Sequence, residues 1–465
     1  MNLVAEQEKI LIKDLKHIVG AENVLSEPDE RYSYSVDATN ISDSAGIADI
    51  VVFPLETAHV SEILKYANKN KIAITPRCAG TNHVGGCIPK AGGIVLSFAR
   101  MNKILEVNQD NLYCKVQPGV IVGDLQAEVE KVGLFYPPDP SNLAVSMVGG
   151  SIALSSGGPR TFKYGSTKDY IIDLEVVLAD GTVIQTGSPC AKNVTGYNLT
   201  QLFVGSEGTL GVVTQATIKL IPKPESKRVM LVYFDQLEKA LNSVNAVISH
   251  LITPSVMDFL DNNTLKTIED FHPSGLLTDK EAALLLEIDG PKDSLDNQYK
   301  TITNICEQNG ASFIQIAKNE EEERKIWTAR RASFGATAKL APVVVTEDIV
   351  VPREKISELV KGIRRICDKY SIKTCIMGHI GDGNVHPNMA LDPRNKKELE
   401  NYHKTIDEIF ELAISLGGTL TGEHGIGSEK IKYMPKALSN ETLTCMKMIK
   451  NLFDPNYILN PGKMF

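Results

Sequence analysis

From Ser146 to Gly158 the chain reads Ser-Met-Val-Gly-Gly-Ser-Ile-Ala-Leu-Ser-Ser-Gly-Gly. Side chains this small cannot fill a core by themselves. The tract must therefore pack backbone against backbone or line a large flat ligand. Two other stretches in the same half favour the ligand. A strand expected at 72–75 runs into Pro76-Arg-Cys-Ala-Gly-Thr-Asn-His-Val-Gly-Gly86, and such a loop can bring backbone N–H groups close to a phosphate. Gly205-Ser-Glu-Gly-Thr-Leu-Gly211 is also dense in glycine and leads into a strand expected at 212–220. Further strands are expected at 48–54, 93–97 and 112–116, helices at 60–70 and 122–132, and a hairpin at 173–187 turning at Asp180-Gly181.

The second half carries a different signal. In His379-Ile-Gly-Asp-Gly-Asn-Val-His386 two histidines flank Gly381, Asp382, Gly383 and Asn384, residue types that tolerate tight reversal. The segment reads as a hairpin with both imidazoles near its turn. Further on, Gly422-Glu-His-Gly-Ile-Gly427 offers Glu423 beside His424. Two histidines and a carboxylate make a three-ligand metal set with positions left open for water or substrate.

At 465 residues two or three domains are expected. Pro222-Lys-Pro-Glu225 reads as a boundary. Beyond it, strands at 229–234, 282–288 and 312–317 alternate with helices at 237–249 and 293–309, which suits an α+β module with helices on one face of an antiparallel sheet. A charged helix at 320–331 holds Trp327 and the Arg330-Arg331 pair, strands follow at 347–352 and 375–391, and a helix at 396–416 separates the two histidine loops. The tail, 453–465, keeps Tyr457, Ile458 and Leu459 and is expected to dock on an earlier domain. Residues 1–20, with Leu3, Ile10, Leu11, Leu15 and Ile18, read as an amphipathic helix and not a signal peptide.

A formal charge of -8 argues against nucleic acid or an anionic membrane as the main partner. The eight cysteines show no C-x-x-C spacing, which argues against a cysteine-ligated cluster and suits a reducing compartment. No apolar run approaches the roughly 18–20 residues of a membrane span. The expected location is the cytoplasm. Neither a G-x-G-x-x-G opening a helix nor a Walker loop is present, so this chain gives no support for an NAD site of its own.

Arg77-Cys-Ala-Gly-Thr81, Pro138-Asp-Pro-Ser141, Gly157-Gly-Pro-Arg160 with Tyr164-Gly165, and the Gly205–Gly211 loop occur in one order along the chain. In that order they resemble the FAD-linked oxidases of the vanillyl-alcohol-oxidase superfamily. The two histidine loops are similar to those of its metal-dependent branch, which includes the glycolate oxidase catalytic subunit, D-lactate dehydrogenases and D-2-hydroxyglutarate dehydrogenase. Within the branch the likeness is greatest to lactate dehydrogenase subunits that pair with an electron-transferring flavoprotein.

The resemblance implies an α+β fold. A two-part FAD-binding domain would span 1–225, a cap domain with an antiparallel sheet and the substrate and metal residues 226–425, and a segment returning to the FAD domain 426–465. FAD would lie along Pro76, Arg77, Cys78, Ala79, Gly80, Thr81, Gly85 and Gly86, and then Pro138, Asp139, Pro140, Ser141 and Asn142. It would continue past Gly149, Gly150, Ser155, Gly157 and Gly158, Tyr164 and Gly165, and Glu207, Gly208, Gly211 and Val212, with Asn460 near the flavin. His379, His386 and Glu423 would bind Fe(II) or Zn(II), with Mn(II) a further candidate. His424 would be the catalytic base, Arg330 the carboxylate clamp and Asn388 a substrate neighbour. The implied reaction is oxidation of D-lactate to pyruvate, with hydride passing from C2 to FAD. Electrons would then go to the electron-transferring flavoprotein and so to NAD and ferredoxin. Glycolate or another D-2-hydroxyacid is the alternative substrate, and a non-catalytic scaffold subunit the alternative role; homo-oligomerisation is left open.

The chain also departs from the family pattern. Cys78 stands where glycine is usual, and Asn82-His83-Val84 where small residues are common. Relatives that attach flavin covalently from this loop place a histidine where Thr81 stands, so non-covalent FAD is expected. Phe334 and Thr346 occupy positions where the hydroxyglutarate branch carries a threonine and a lysine. An apolar wall without a second cation suits a short monocarboxylate, because an unpaired second carboxylate would be costly there.

Overall fold

A computed structural model describes residues 5–41 and 46–465. Of the N-terminal helix expected at 1–20, Met1 to Val4 lie outside the described residues and the helix runs Ala5–Val19. Its buried Leu11, Leu15 and Val19 recur every four residues and meet Ile63 and Leu64 of the helix Thr57–Asn70.

The first sheet has four strands in the order Val24–Leu25, Ile50–Val52, Ile94–Ser97, Ile74–Arg77. The last three are mutually parallel. Ile50 and Val52 face one apolar cluster and Val51 another, so an uninterrupted apolar run marks a strand covered on both faces. The second sheet is antiparallel, ordered Ile104–Asn108, Tyr113–Val116, Val212–Lys219, Ile171–Val177, Val183–Gln185. The last two strands are the expected hairpin, reversing through Gly181 at φ 84°.

The third sheet holds eight strands, all its pairings antiparallel, and its members fall between Ser226 and Leu391. Here one expectation is corrected, because helices cover both faces. Met230, Val232 and Phe234 pack with the helices Leu237–Ser249 and Lys292–Gln308. The alternating Val229, Leu231 and Tyr233 pack with Leu265 and Trp327 from the helices Asn262–Phe271 and Glu320–Thr337. A strand apolar at every position leaves no face for water. The strand expected at 347–352 is also corrected, since the chain forms Val343–Thr346 and Ile349–Val350 with a break at Glu347 and Asp348. Asp348 is fully buried there and accepts hydrogen bonds from another loop.

The tail docks as expected, but through two of its three apolar residues. Ile458 and Leu459 are buried, Ile74 N–H donates to Ile458 C=O and Asn460 N–H to Ile74 C=O, both at 2.7 Å. Tyr457 remains 50% exposed.

Candidate active site

A cavity of about 550 Å³ takes its walls from both halves of the chain. That size falls within the range of cofactor and ligand pockets, roughly 300–1,000 Å³. Pro76, Arg77, Cys78, Ala79, Gly80, Thr81 and Gly86 line one side, with Pro140, Ser141 and Asn142. Gly149, Gly150, Glu207, Gly208, Gly211 and Val212 continue that wall. Arg330, Asn388, His386, Glu423 and His424 face it from the second half.

The small-residue tract turns out to serve both of its alternatives. It forms a helix, Val148–Leu154, whose Val148 and Ile152 enter the core while Gly149, Gly150 and Ser151 border the cavity. A Cβ added at Gly150 would meet only Cys78, at 3.6 Å, whereas one at Gly149 would lie 2.6 Å from Pro118. Ser146, on the same wall, has a buried Oγ with no partner. A flat surface bare of side chains, with an orphaned hydroxyl at its edge, fits FAD.

Other expected cofactor residues stand behind the wall. Gly85 N–H donates to Thr39 Oγ1, Pro138 C=O accepts from Gln126, and Asp139 pairs with Arg160 at 2.9 Å. Ser155 ends the glycine helix at φ 53°, and Gly158 backs onto the Asp139 carbonyl. Gly165 is the C-cap of the short helix Thr161–Tyr164, and the Tyr164 hydroxyl reaches across to Asp289 of the eight-stranded sheet. Gly157 lies against Glu423, where an added Cβ would be 2.8 Å from Oε2. Asn460, at φ 42°, donates to the Gly86 and Glu207 carbonyls. The Glu207 carboxylate turns to the N–H groups of Ile426 and Gly427, both at 2.7 Å, so it ties the Gly205–Gly211 loop to the Gly422–Gly427 loop.

The histidine hairpin forms as read, from Lys373–His379 and Asn384–Leu391. Glu423 Oε1 sits 3.4 Å from His379 Nε2 and 3.3 Å from His386 Nε2. The far nitrogens are both occupied: His379 Nδ1 by Asp258 Oδ1 at 2.7 Å, His386 Nδ1 by the Glu347 carbonyl at 3.3 Å. Such second partners fix the tautomer and aim Nε2 at a metal. Burial opposes charge on His379, yet Asp258 and Glu423 hold its pKa well above the usual value. Burial opposes charge on Glu423 too, and the two imidazoles still keep it below the carboxylate range. The three groups converge on one cation, either a proton or a metal ion. The donor set therefore fits a divalent metal.

Asp348, His386, Glu423 and His424 also bring donor atoms within 4.8 Å of one another. Asp348 is nonetheless spent. Its Oδ2 accepts from the Thr421 hydroxyl at 2.5 Å and from the N–H groups of Gly422, Glu423 and His424 at 2.8, 2.9 and 2.9 Å. Asp348 shapes the loop that presents Glu423. His424 is neutral, its pKa pushed down to about 3 by burial and by His386 and His83, against the pull of Asp348.

Arg330 is buried, with Nε on Asp258 Oδ2 at 2.7 Å and Nη1 on Ser333 Oγ at 3.4 Å, which leaves Nη2 for the cavity. Asn388 Oδ1 accepts from Thr346 Oγ1 at 2.6 Å, and Phe334 and Thr346 both line the cavity. A second cation does border it. Arg331, about half exposed, lies over Trp327 and 3.9 Å from Asp139.

Sequence reasoning missed Asp258, Asp348 and the clamping role of Glu207. Asp258 carried a legible signal, as a carboxylate inside the apolar strand Val256–Asp261. Asp348 carried none, because its partners lie 36–76 residues away.

Residues 223–464 match the C-terminal domain of FAD linked oxidases, and residues 48–187 match an FAD binding domain. The glycolate oxidase subunit GlcD of Bacillus subtilis (strain 168) is 46% identical over 460 residues, 98% of this chain and 97% of that protein. A D-lactate dehydrogenase of Archaeoglobus fulgidus is 34% identical over 437 residues, 94% of this chain and 96% of that protein. The structure of p-cresol methylhydroxylase with substrate bound superposes with a TM-score of 0.82 at 18% identity, covering 100% of this chain and 98% of that one, a likeness of fold. With the two domain matches and relatives aligned along nearly the whole chain, this protein belongs to the FAD-linked oxidases, within the vanillyl-alcohol oxidase superfamily.

Proposed function

We propose that this flavoprotein oxidises a short 2-hydroxyacid, D-lactate to pyruvate, at a metal site made by His379, His386 and Glu423. One observation carries the proposal: Glu423 lies between two oriented imidazoles in the same cavity as Arg330 and the glycine wall. When bound, FAD would supply the two-electron acceptor, and a divalent metal would lower the pKa of the substrate hydroxyl. The chain's own residues do the rest. Arg330, braced by Asp258 and Ser333, grips the carboxylate through its remaining terminal N–H groups and so orients C2. His424, neutral at physiological pH, takes the hydroxyl proton. Asn388, held by Thr346, stands beside the substrate. Pro76–Thr81, Gly86, Pro140–Asn142, Gly149, Gly150 and Glu207–Val212 hold FAD non-covalently.

The same reading divides the chain at about 225 and 425 into FAD domain, cap and returning segment. It passes the electrons to a separate flavoprotein, and through it to NAD and ferredoxin, in the cytoplasm. Among the described residues no helix is long and apolar enough to cross a membrane, and the GlcD relatives are named as subunits.

Glycolate is the second reading, favoured by the 46% identical relative's name. The test is anaerobic bleaching of the flavin by D-lactate, L-lactate and glycolate, before and after chelation and metal add-back. Bleaching by D-lactate that chelation abolishes and metal restores is the expected result. Bleaching that survives complete metal removal would overturn the role given to His379, His386 and Glu423.

A further inference from the structure

Five rings follow one another across the cavity. Centroids of His379 and His386 are 5.2 Å apart, those of His386 and His424 5.2 Å, of His424 and His83 5.4 Å, and of His83 and Phe334 5.6 Å. The row then closes on itself. Phe334 lies four residues beyond Arg330 on one helix, hence on the same face. Arg330 meets Asp258, and Asp258 meets His379, at 2.7 Å each. His83 is the one member of this circuit from the FAD-binding half.

The circuit constrains a 2-hydroxyacid through the geometry of its second carbon. Of the four directions at a tetrahedral C2, Arg330 takes the carboxylate, the metal ligands and His424 take the hydroxyl, and the glycine wall takes the hydrogen. The remaining substituent is left to the rest of the lining, where Arg331, Thr346 and Met377 stand with His83 and Phe334. Of these, His83 lies against His424 and Phe334 against His83, so the two rings are the ones placed beside the reacting carbon. Both are placed to be felt. Phe334 is 39% exposed, a large ring turned to the cavity without full cover. The loop carrying His83 is braced by Ala38 N–H on the Asn82 carbonyl at 3.1 Å and Gly86 N–H on Asn82 Oδ1 at 2.8 Å.

We infer that His83 and Phe334 form a gate that sets the size of the C2 substituent, admitting hydrogen or methyl and excluding branched chains. The inference rests on the 2-hydroxyacid reading above. It also makes substrate size depend on docking of the two halves, because the gate has one ring from each.

The test uses FAD-loaded protein with His83→Ala, Phe334→Ala and His83→Leu. Substrates are glycolate, D-lactate, D-2-hydroxybutyrate and D-2-hydroxy-4-methylpentanoate. One methylene in an apolar pocket changes discrimination by roughly 10–200-fold. Each alanine variant should therefore raise kcat/KM for the branched acid relative to D-lactate by about ten-fold or more, chiefly through KM, while His83→Leu keeps the original preference. The dissociation constant of 2-oxo-4-methylpentanoate, read from the flavin spectrum without turnover, should fall in parallel. Unchanged ratios and unchanged dissociation constants in variants that retain flavin would overturn the gate. Should His83→Ala lose FAD, Phe334→Ala decides alone, since it lies outside the FAD loops. If the parent protein oxidises none of the four acids, the 2-hydroxyacid reading falls and the gate with it. If it oxidises D-lactate and the variants keep its size preference, only the gate falls.

Discussion

The two walls of the cavity work in opposite ways. The glycine wall offers few side chains, with Gly149, Gly150 and Gly208 exposing backbone. The facing wall is all side chain, with Arg330, His386, Glu423 and His424. A bare wall needs little support beyond its own helix and loops. A wall of polar and charged groups needs partners, and Asp258 supplies them from a neighbouring strand, Asp348 and the Glu347 carbonyl from the break between two strands. A large flat cofactor is met by shape, and a small polar substrate by directed groups.

The sharpest way to break that contrast is Glu423→Ala. It should cut turnover by roughly 10³-fold or more while the flavin spectrum shows FAD still bound; loss of FAD would mean the walls are not separable. Asp348→Ala comes next, because it strips five donors of a buried acceptor. It should cost about 3–5 kcal/mol in urea unfolding. Burial would raise the Asp348 pKa, but His424, Lys430 and His386 hold it well below 3.8. A lowered carboxylate stabilises fully above its unfolded value and loses that as pH falls towards its folded value. The stability gap between parent and variant should accordingly narrow only below pH 3.8.

Asp258→Asn sharpens the comparison from the support side. It removes the carboxylate that orients His379 and Arg330 and should weaken metal binding by about 10–100-fold, measured by metal titration of chelated protein. The smallest effect is expected on the bare wall. Gly150→Ala meets only Cys78 within the protein and should stabilise the flavin-free chain by about 0.5–1 kcal/mol through helix propensity. It should at the same time weaken FAD, read by equilibrium dialysis. Tighter FAD binding would show that the wall is not the flavin's surface.

Much of this was legible because it is local. A turn of Gly, Asp, Gly and Asn between apolar runs makes a hairpin wherever it occurs, and His379 and His386 flank it in the fold as in the chain. The helix Leu237–Ser249 sits where its spacing put it. What resisted reading was the second face of the eight-stranded sheet. The strand Ser226–Phe234 is apolar on both sides, and the helix Asn262–Phe271 that covers one of them offers only Leu265 and Ile268 as buried apolar side chains, a weak periodic signal. Arg330 was equally ambiguous, on a charged helix whose outward and inward faces differ only in what packs against them.

By itself the sequence determined which chemistry is present: glycine runs free of side chains, a two-histidine hairpin, a Glu-His pair and an arginine pair. Local backbone preferences suffice for that. Only the tertiary structure decided which groups are usable. Asp258 reaches His379 across 121 residues and Glu207 reaches Gly427 across 220. Hydrogen bonds that aim an imidazole or hold a loop depend on distance in space, and no residue pattern along the chain encodes that distance.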